Sequence, residues 1–340
     1  MTNLANKNLN KAKKAKNDEF YTQLSDIENE MKHYKQHFKD KVVYLNCDDP
    51  QESNFWKYFS LNFDFFEIKK LISTHYNEEE LTYKMTLDRD EKGKMNDYGQ
   101  DEVGVPMGRI EPLKQNGDFR SDESIKLLKE ADVVVTNPPF SLFREYIAQL
   151  IEHDKKFIVL GNQNAITYKE IFPLLKENEM WVGNNYGSMA FEVPVDYEAK
   201  SVFVGEDGNK YQKLGNITWY TNLEYPKRFE DQILYRTYEG NEADYPKYDN
   251  YDAIEVSRVK NIPMDYEGVM GVPITFMNNH NPEQFKILGS RRWAKSKELL
   301  KVYTGSSVPP ENDKKSLING KETYDRIFIR NLKPEISEWK

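Results

Sequence analysis

Ala131-Asp132-Val133-Val134-Val135-Thr136-Asn137-Pro138-Pro139-Phe140 contains five residues, Asp132 to Thr136, that are β-branched and almost wholly apolar. That is the make-up of a buried β-strand. Two consecutive prolines stop it, since proline neither donates to a sheet ladder nor enters a helix interior. Ser141 then stands where a cap is expected, ahead of Leu142, Phe143, Tyr146, Ile147, Leu150 and Ile151 at helical spacing. Strand, rigid turn and helix form half a unit of an open α/β sheet, in which ligands bind beyond the carboxyl ends of the strands. An amide, two prolines and an aromatic ring are therefore expected at the mouth of the sheet. A proline-terminated strand before an ordinary core phenylalanine would use the same residues.

Asn137-Pro138-Pro139-Phe140 suits chemistry at a planar nitrogen. The amine of adenine, or an amide nitrogen, has a delocalised lone pair and is a poor nucleophile. Two acceptors aimed at its hydrogens, the Asn137 side-chain oxygen and the Pro138 carbonyl, favour the tetrahedral nitrogen of a transfer transition state. Pro139 stiffens the turn that presents them. The Phe140 ring would stack on a planar base. No metal is needed, because the proton can leave after transfer, and the five scattered histidines are read as non-ligands.

The chain has 340 residues, enough for one large domain or two ordinary ones. Charged residues make up 31% and hydrophobic ones 38%, a globular composition, and neither a membrane-length apolar run nor an N-terminal hydrophobic signal is visible. The single cysteine, Cys47, excludes an internal disulfide framework and fits a reducing cytoplasm. A net charge of −8 argues against a nucleic-acid partner, but its distribution matters more than the sum. Residues 1–16 hold five lysines and no acid, leaving 43 basic against 56 acidic side chains, a balance of −13, elsewhere. Lys286 to Lys301 concentrates six basic residues around one glutamate.

Residues 1–16 read as a basic flexible arm. Ser25 and Glu28 match a capping box for a helix whose apolar face is Ile27, Met31, Tyr34 and Phe38. Lys41 to Leu45 is the first strand and Lys70 to Thr74 the second. Residues 78–113 form an acidic insertion, with the pattern of a hairpin and no legible chemistry. Gly117-Asp118-Phe119 precedes a helix capped at Ser121 or Asp122, and Lys156 to Gly161 is a further buried strand. Ile217 to Tyr220 closes this alternation. From about Tyr225 prolines and tyrosines multiply, and Asn319-Gly320 signals a hairpin before a strand from Tyr324 to Arg330.

Four stretches together resemble the γ-type adenine-specific DNA methyltransferases, and most closely the EcoRI-type methylases. They are Asn17-Asp18-Glu19-Phe20-Tyr21-Thr22, Cys47-Asp48-Asp49-Pro50, Gly117-Asp118-Phe119 and Asn137 to Phe140. The resemblance runs through most of the chain. It implies an α/β, Rossmann-like, doubly wound class I methyltransferase sheet at 17–224 and a mainly β target-recognition, DNA-binding domain at 225–340. It also implies S-adenosylmethionine as cofactor, held by Phe20, Tyr21, Thr22, Asp48, Asp49, Pro50, Asp118 and Phe119, with Asn137, Pro138, Pro139 and Phe140 catalytic. The loop from Asp49 to Phe55 lacks the glycines usual in related enzymes, and no acid follows the second strand to bind ribose; His75 or Tyr76 stands there.

The implied reaction is methyl transfer to N6 of a flipped-out adenine at a fixed site in double-stranded DNA. The implied setting is a restriction–modification or related system, beside a cognate endonuclease in function rather than in contact, with the enzyme a cytoplasmic monomer. Arg291, Arg292, Lys295 and Lys297 are the phosphate-contact candidates; a solvated basic helix face reads equally well. One of Trp181, Tyr186 and Phe191 would meet the target base. Other readings stay open: transfer to RNA or protein glutamine, a DNA-binding protein without catalysis, and a plain α/β nucleotide-binding protein.

Overall fold

The structure, a computed structural model, describes residues 21–47, 49–77, 82–193, 197, 199, 201–290, 297–304 and 316–335. Contacts divide the chain into two compact units, one of residues 1–163 and 183–224 and one of residues 164–182 and 225–340.

The first unit is a mixed sheet with helices in its connections. In chain order it runs β1 (Tyr21–Thr22), α1 (Leu24–Met31), β2 (Val42–Leu45), α2 (Asn54–Leu61), β3 (Lys70–Thr74), β4 (Tyr83–Asp88), β5 (Arg109–Pro112), α3 (Asp122–Glu130), β6 (Val133–Thr136), α4 (Phe143–Glu152) and β7 (Lys156–Asn162). After α5 (Phe172–Lys176), which belongs to the second unit, come β8 (Trp181–Glu192), β9 (Val202–Val204) and β10 (Lys210–Thr221). The strand order is β1-β8-β10-β7-β6-β2-β3-β4-β5, with β9 on β10. Strands β3, β2, β6 and β7 are parallel, and β4 and β10 pair antiparallel at either side of that block. This is the α/β architecture expected from strand-helix alternation. Every residue of β2 and β6 is buried, as central parallel strands require.

Of two expected caps, one differs and one is found. Helix α1 begins at Leu24, with Gln23 at the cap position and no side-chain bond, so Ser25 and Glu28 lie inside the helix. Its start is set earlier, where Thr22 leaves its pairing with β8 and the Gln23 carbonyl takes the Asp26 and Ile27 amides. At α3 the Ser121 side chain does accept from the Ser124 amide at 3.1 Å.

Gly161 sets how closely α4 approaches the sheet. A Cβ there would lie 2.6 Å from Phe143 Cε2 and 2.9 Å from Tyr220 Cε2. We expect Gly161→Ala to cost about 1–3 kcal/mol in urea unfolding and to push the start of α4 away from the sheet.

In the second unit β11 (Ala253–Glu255), β12 (Val269–Pro273), β13 (Phe285–Ser290) and β16 (Arg326–Asn331) form a sheet ordered β11-β12-β16-β13. Tyr248, Tyr251, Leu299 and Phe328 are in its core. Buried Arg326 binds Glu255 through Nε at 2.9 Å, and the Tyr248 hydroxyl donates to the same carboxylate. Helix α6 (Lys297–Leu300) precedes the short hairpin of β14 (Leu317–Ile318) and β15 (Lys321–Glu322). Asn319 and Gly320 make its turn with φ of 51° and 72°, as an Asn-Gly pair favours. Among the described residues no helix is long and apolar enough to cross a membrane.

Candidate active site at the switch point of the sheet

The chain runs outward from β2 to β3 and later returns to β6 on the other side of β2, so strand order reverses between β2 and β6. Ligand crevices in open α/β sheets form beyond the carboxyl ends of strands at such a point. Tyr44 pairs with Val134, and two further residues along that register bring Asn46 level with Thr136, next to Asn137.

Asn137 is half-buried and Pro138 buried where β6 ends. Pro139 has φ −55° and ψ 123°, and a single 3-10 turn, Phe140–Leu142, follows, closed by the Leu142 amide on the Pro139 carbonyl at 2.9 Å. Helix α4 then starts at Phe143 with Leu142 at its cap and no side-chain bond. Ser141 is therefore part of the turn and not the expected cap. Pro139, extended at the cap position, opens this 3-10 turn, and α4 begins only after it.

Tyr21 and Thr22 pair with Glu192 and Phe191 of β8. The Thr22 carbonyl takes the Asn54 Nδ2 at 2.8 Å, which ties β1 to the first turn of α2 and so to the loop after β2. Thr22 is 2% exposed and Pro50 is buried. Phe20 and Asp48 lie outside the described residues.

Asp49 works as an anchor of its own loop. Its carboxylate is 2.8 Å from His75 Nδ1, accepts from the Tyr83 hydroxyl at 2.6 Å and takes the Gln51 amide at 3.0 Å. The His75 and Tyr83 rings stack with centroids 5.3 Å apart. Side-chain bonds thus hold a loop that lacks glycines. Burial alone would raise the Asp49 pKa, but His75, Tyr83 and the Gln51 amide hold it below the ordinary carboxylate value of 3.8. A carboxyl lowered on folding stabilises above its unfolded pKa, and that contribution is lost as pH falls through the folded value. We expect Asp49→Asn to lose about 1–2 kcal/mol at pH 7 and much less near pH 3, read from urea midpoints. Equal losses at both pH values would contradict this.

Gly117 has φ +74°, and the neighbouring Asn116 carbonyl takes the Asn77 amide at 3.2 Å. Asp118 is bound by Arg120 through Nε at 2.8 Å and Nη2 at 2.6 Å, which lowers its pKa. Phe119 is 5% exposed, packs edge-on to Tyr146 at 5.1 Å, and its carbonyl accepts from Gln149 at 3.1 Å. The Asp118 carboxylate is therefore engaged by Arg120, and the Phe119 ring meets Tyr146 rather than open space.

Of the three aromatic candidates for the base, Phe191 is 0% exposed and belongs to the core. Trp181 has the Arg228 guanidinium 3.5 Å over its ring, and Tyr186 is 41% exposed. Arg291, Arg292 and Lys295 lie outside the described residues, while Lys297 opens α6. Its neighbour Glu298 binds Lys286 at 2.5 Å and Lys176 at 3.6 Å, so the acid of this basic stretch is spoken for. Sequence reasoning missed Tyr83, Asn46 and Tyr146. The pairing of β3 with β4 brings Tyr83 to Asp49, and the Tyr146 hydroxyl donates to Asn46 Oδ1.

Residues 8–332 match the family model described as adenine-specific methyltransferase EcoRI. The chain is 48% identical to the Type II methyltransferase M.EcoRI of Escherichia coli, over 97% of this chain and 98% of that one. It is 41% identical to the Type II methyltransferase M.MpnI of Mycoplasma pneumoniae, over 94% of this chain and 97% of that one. No solved structure matches the chain.

Proposed function

The chain belongs to the family of EcoRI adenine-specific methyltransferases, and from that premise we propose that it methylates N6 of an adenine at a fixed site in double-stranded DNA. The donor is S-adenosylmethionine, and the setting is a restriction–modification system in the cytoplasm. The observation that carries this reading is the Asn137-Pro138-Pro139 turn, which ends a fully buried central strand beside the switch point of the sheet.

The residues fit such a cofactor. Thr22 Oγ1, on β1, is buried without a hydrogen-bond partner among the described residues, which suits a polar ligand. Thr22, the Asp49-Pro50 loop and Asp118-Phe119 would line the site. When bound, S-adenosylmethionine supplies a methyl group on a positively charged sulfur.

The protein's part is positioning and electrostatics. The target adenine leaves the base stack, because its amine is inaccessible to this pocket within a duplex. Asn137 Oδ1 and the Pro138 carbonyl accept the two amine hydrogens and favour the nitrogen as it becomes tetrahedral. Phe140 stacks on the base, and Pro139 keeps both acceptors in register. The second unit, with Lys297 and the basic stretch around it, binds the duplex and selects the site. One copy of the chain suffices for one adenine.

Incubation with tritiated S-adenosylmethionine and, in parallel, unmethylated plasmid, ribosomal RNA and ribosomal protein tests the substrate class. Label in the plasmid alone is expected. Label in RNA or protein with none in plasmid would overturn the DNA assignment.

A further inference from the structure

We propose that Asn46 contacts the cofactor, its side-chain amide donating to an oxygen or nitrogen acceptor of S-adenosylmethionine, with Tyr146 as the residue that holds it in that orientation. The inference rests on the methyl-transfer reading above.

Asn46 follows directly on β2, at the switch point and level with Thr136. It is 2% exposed. Its Oδ1 accepts from the Tyr146 hydroxyl and from Cys47 Sγ at 3.7 Å, whereas its Nδ2 has no partner among the described residues. Leaving a buried donor unsatisfied is unfavourable, and native proteins rarely do so without a ligand, water or functional reason. Asn281 in the second unit shows the ordinary arrangement. It is 0% exposed, its amide donates to the Phe229 carbonyl at 3.0 Å and to Asp231 at 2.7 Å, and its Oδ1 takes the Glu283 amide at 2.9 Å. Asn46 has only its acceptor half used, and the residue itself stands where the fold places ligands.

Tyr146 fixes which half is left over. Its ring is fully buried on α4 and packs edge-on to Phe119, so the hydroxyl has little freedom to move. A hydroxyl donating to Oδ1 turns Nδ2 away from itself. Tyr146 thereby joins the cofactor candidate Phe119, Asn46 and the helix that begins after the catalytic turn.

The test is calorimetric binding of S-adenosylmethionine and S-adenosylhomocysteine to the full chain and to Asn46→Ala, Asn46→Asp and Tyr146→Phe, with DNA affinity measured separately. Asn46→Ala should weaken both ligands about tenfold, the loss of one hydrogen bond. Asn46→Asp should weaken them further, since a carboxylate would face an acceptor. Tyr146→Phe, which keeps the ring packing, should weaken them severalfold and raise the KM for S-adenosylmethionine with kcat nearly kept. DNA affinity should stay at the wild-type value in all three. Wild-type cofactor affinity in both Asn46 variants would overturn the contact, and wild-type affinity in Tyr146→Phe would overturn the holding role. If Asn46→Ala does not fold, Tyr146→Phe decides both, because without its hydroxyl the amide is no longer oriented. A wild-type chain that binds neither ligand would sink the methyltransferase reading itself; a binding chain with unaffected variants would sink only this inference.

Discussion

Asn137→Ala should lower kcat for methyl transfer by about 10²–10³-fold, the range seen when one preorganised polar group is removed from a transition state. Asn137 stands where β6 meets two prolines, so its amide is carried by buried backbone on one side and by fixed φ angles on the other. On the proposed reading, alanine takes away one of the two acceptors for the amine and leaves the strand, the Pro138 carbonyl and Phe140 in place. Cofactor affinity and DNA affinity should therefore stay near the wild-type values while single-turnover transfer collapses. Transfer within threefold of wild type would mean that the turn is structural and that another group activates the nitrogen.

Gly117→Ala should be the most damaging small substitution in the first unit. A Cβ at this position would sit 2.0 Å from the His75 carbonyl oxygen and 3.0 Å from its carbon, and φ is +74°. The obstacle is backbone at the end of β3, which has no rotamer to swing away, and the positive φ adds strain for any residue with a Cβ. The combined cost should be about 2–4 kcal/mol in urea unfolding. The loop carrying Asp118 and Phe119 would shift as well, so cofactor binding should fall in the folded fraction. Wild-type stability together with wild-type cofactor affinity would show that the loop has room the geometry denies.

The central strand and its prolines were legible because their signal is local: β-branched residues, then a residue type that ends pairing. The Ser121 cap and the Asn319-Gly320 turn were legible for the same reason, each resting on the chemistry of one or two neighbours. Ser25 and Ser141 carried equally good local signals and were overridden. Pairing of β1 with β8 fixes where α1 starts, and the extended Pro139 inserts a turn before α4. Tyr83 read as part of an insertion without chemistry, since only the β3–β4 register brings it to Asp49. Asn46 carried no signal of its own, and what takes up its oxygen is a tyrosine 100 residues further on. The family's motifs were legible as types of residue; which of their atoms are already engaged, as with Asp118 and Arg120, was not.

The most direct measurement is mass spectrometry of the nucleosides from unmethylated plasmid incubated with the full chain and S-adenosylmethionine, followed by sequencing of the modified positions. The expected result is N6-methyladenine as the sole new nucleoside, confined to one recurring sequence and lost with Asn137→Ala. Methylated cytosine, or unmodified DNA from a chain that binds the cofactor, would contradict the account.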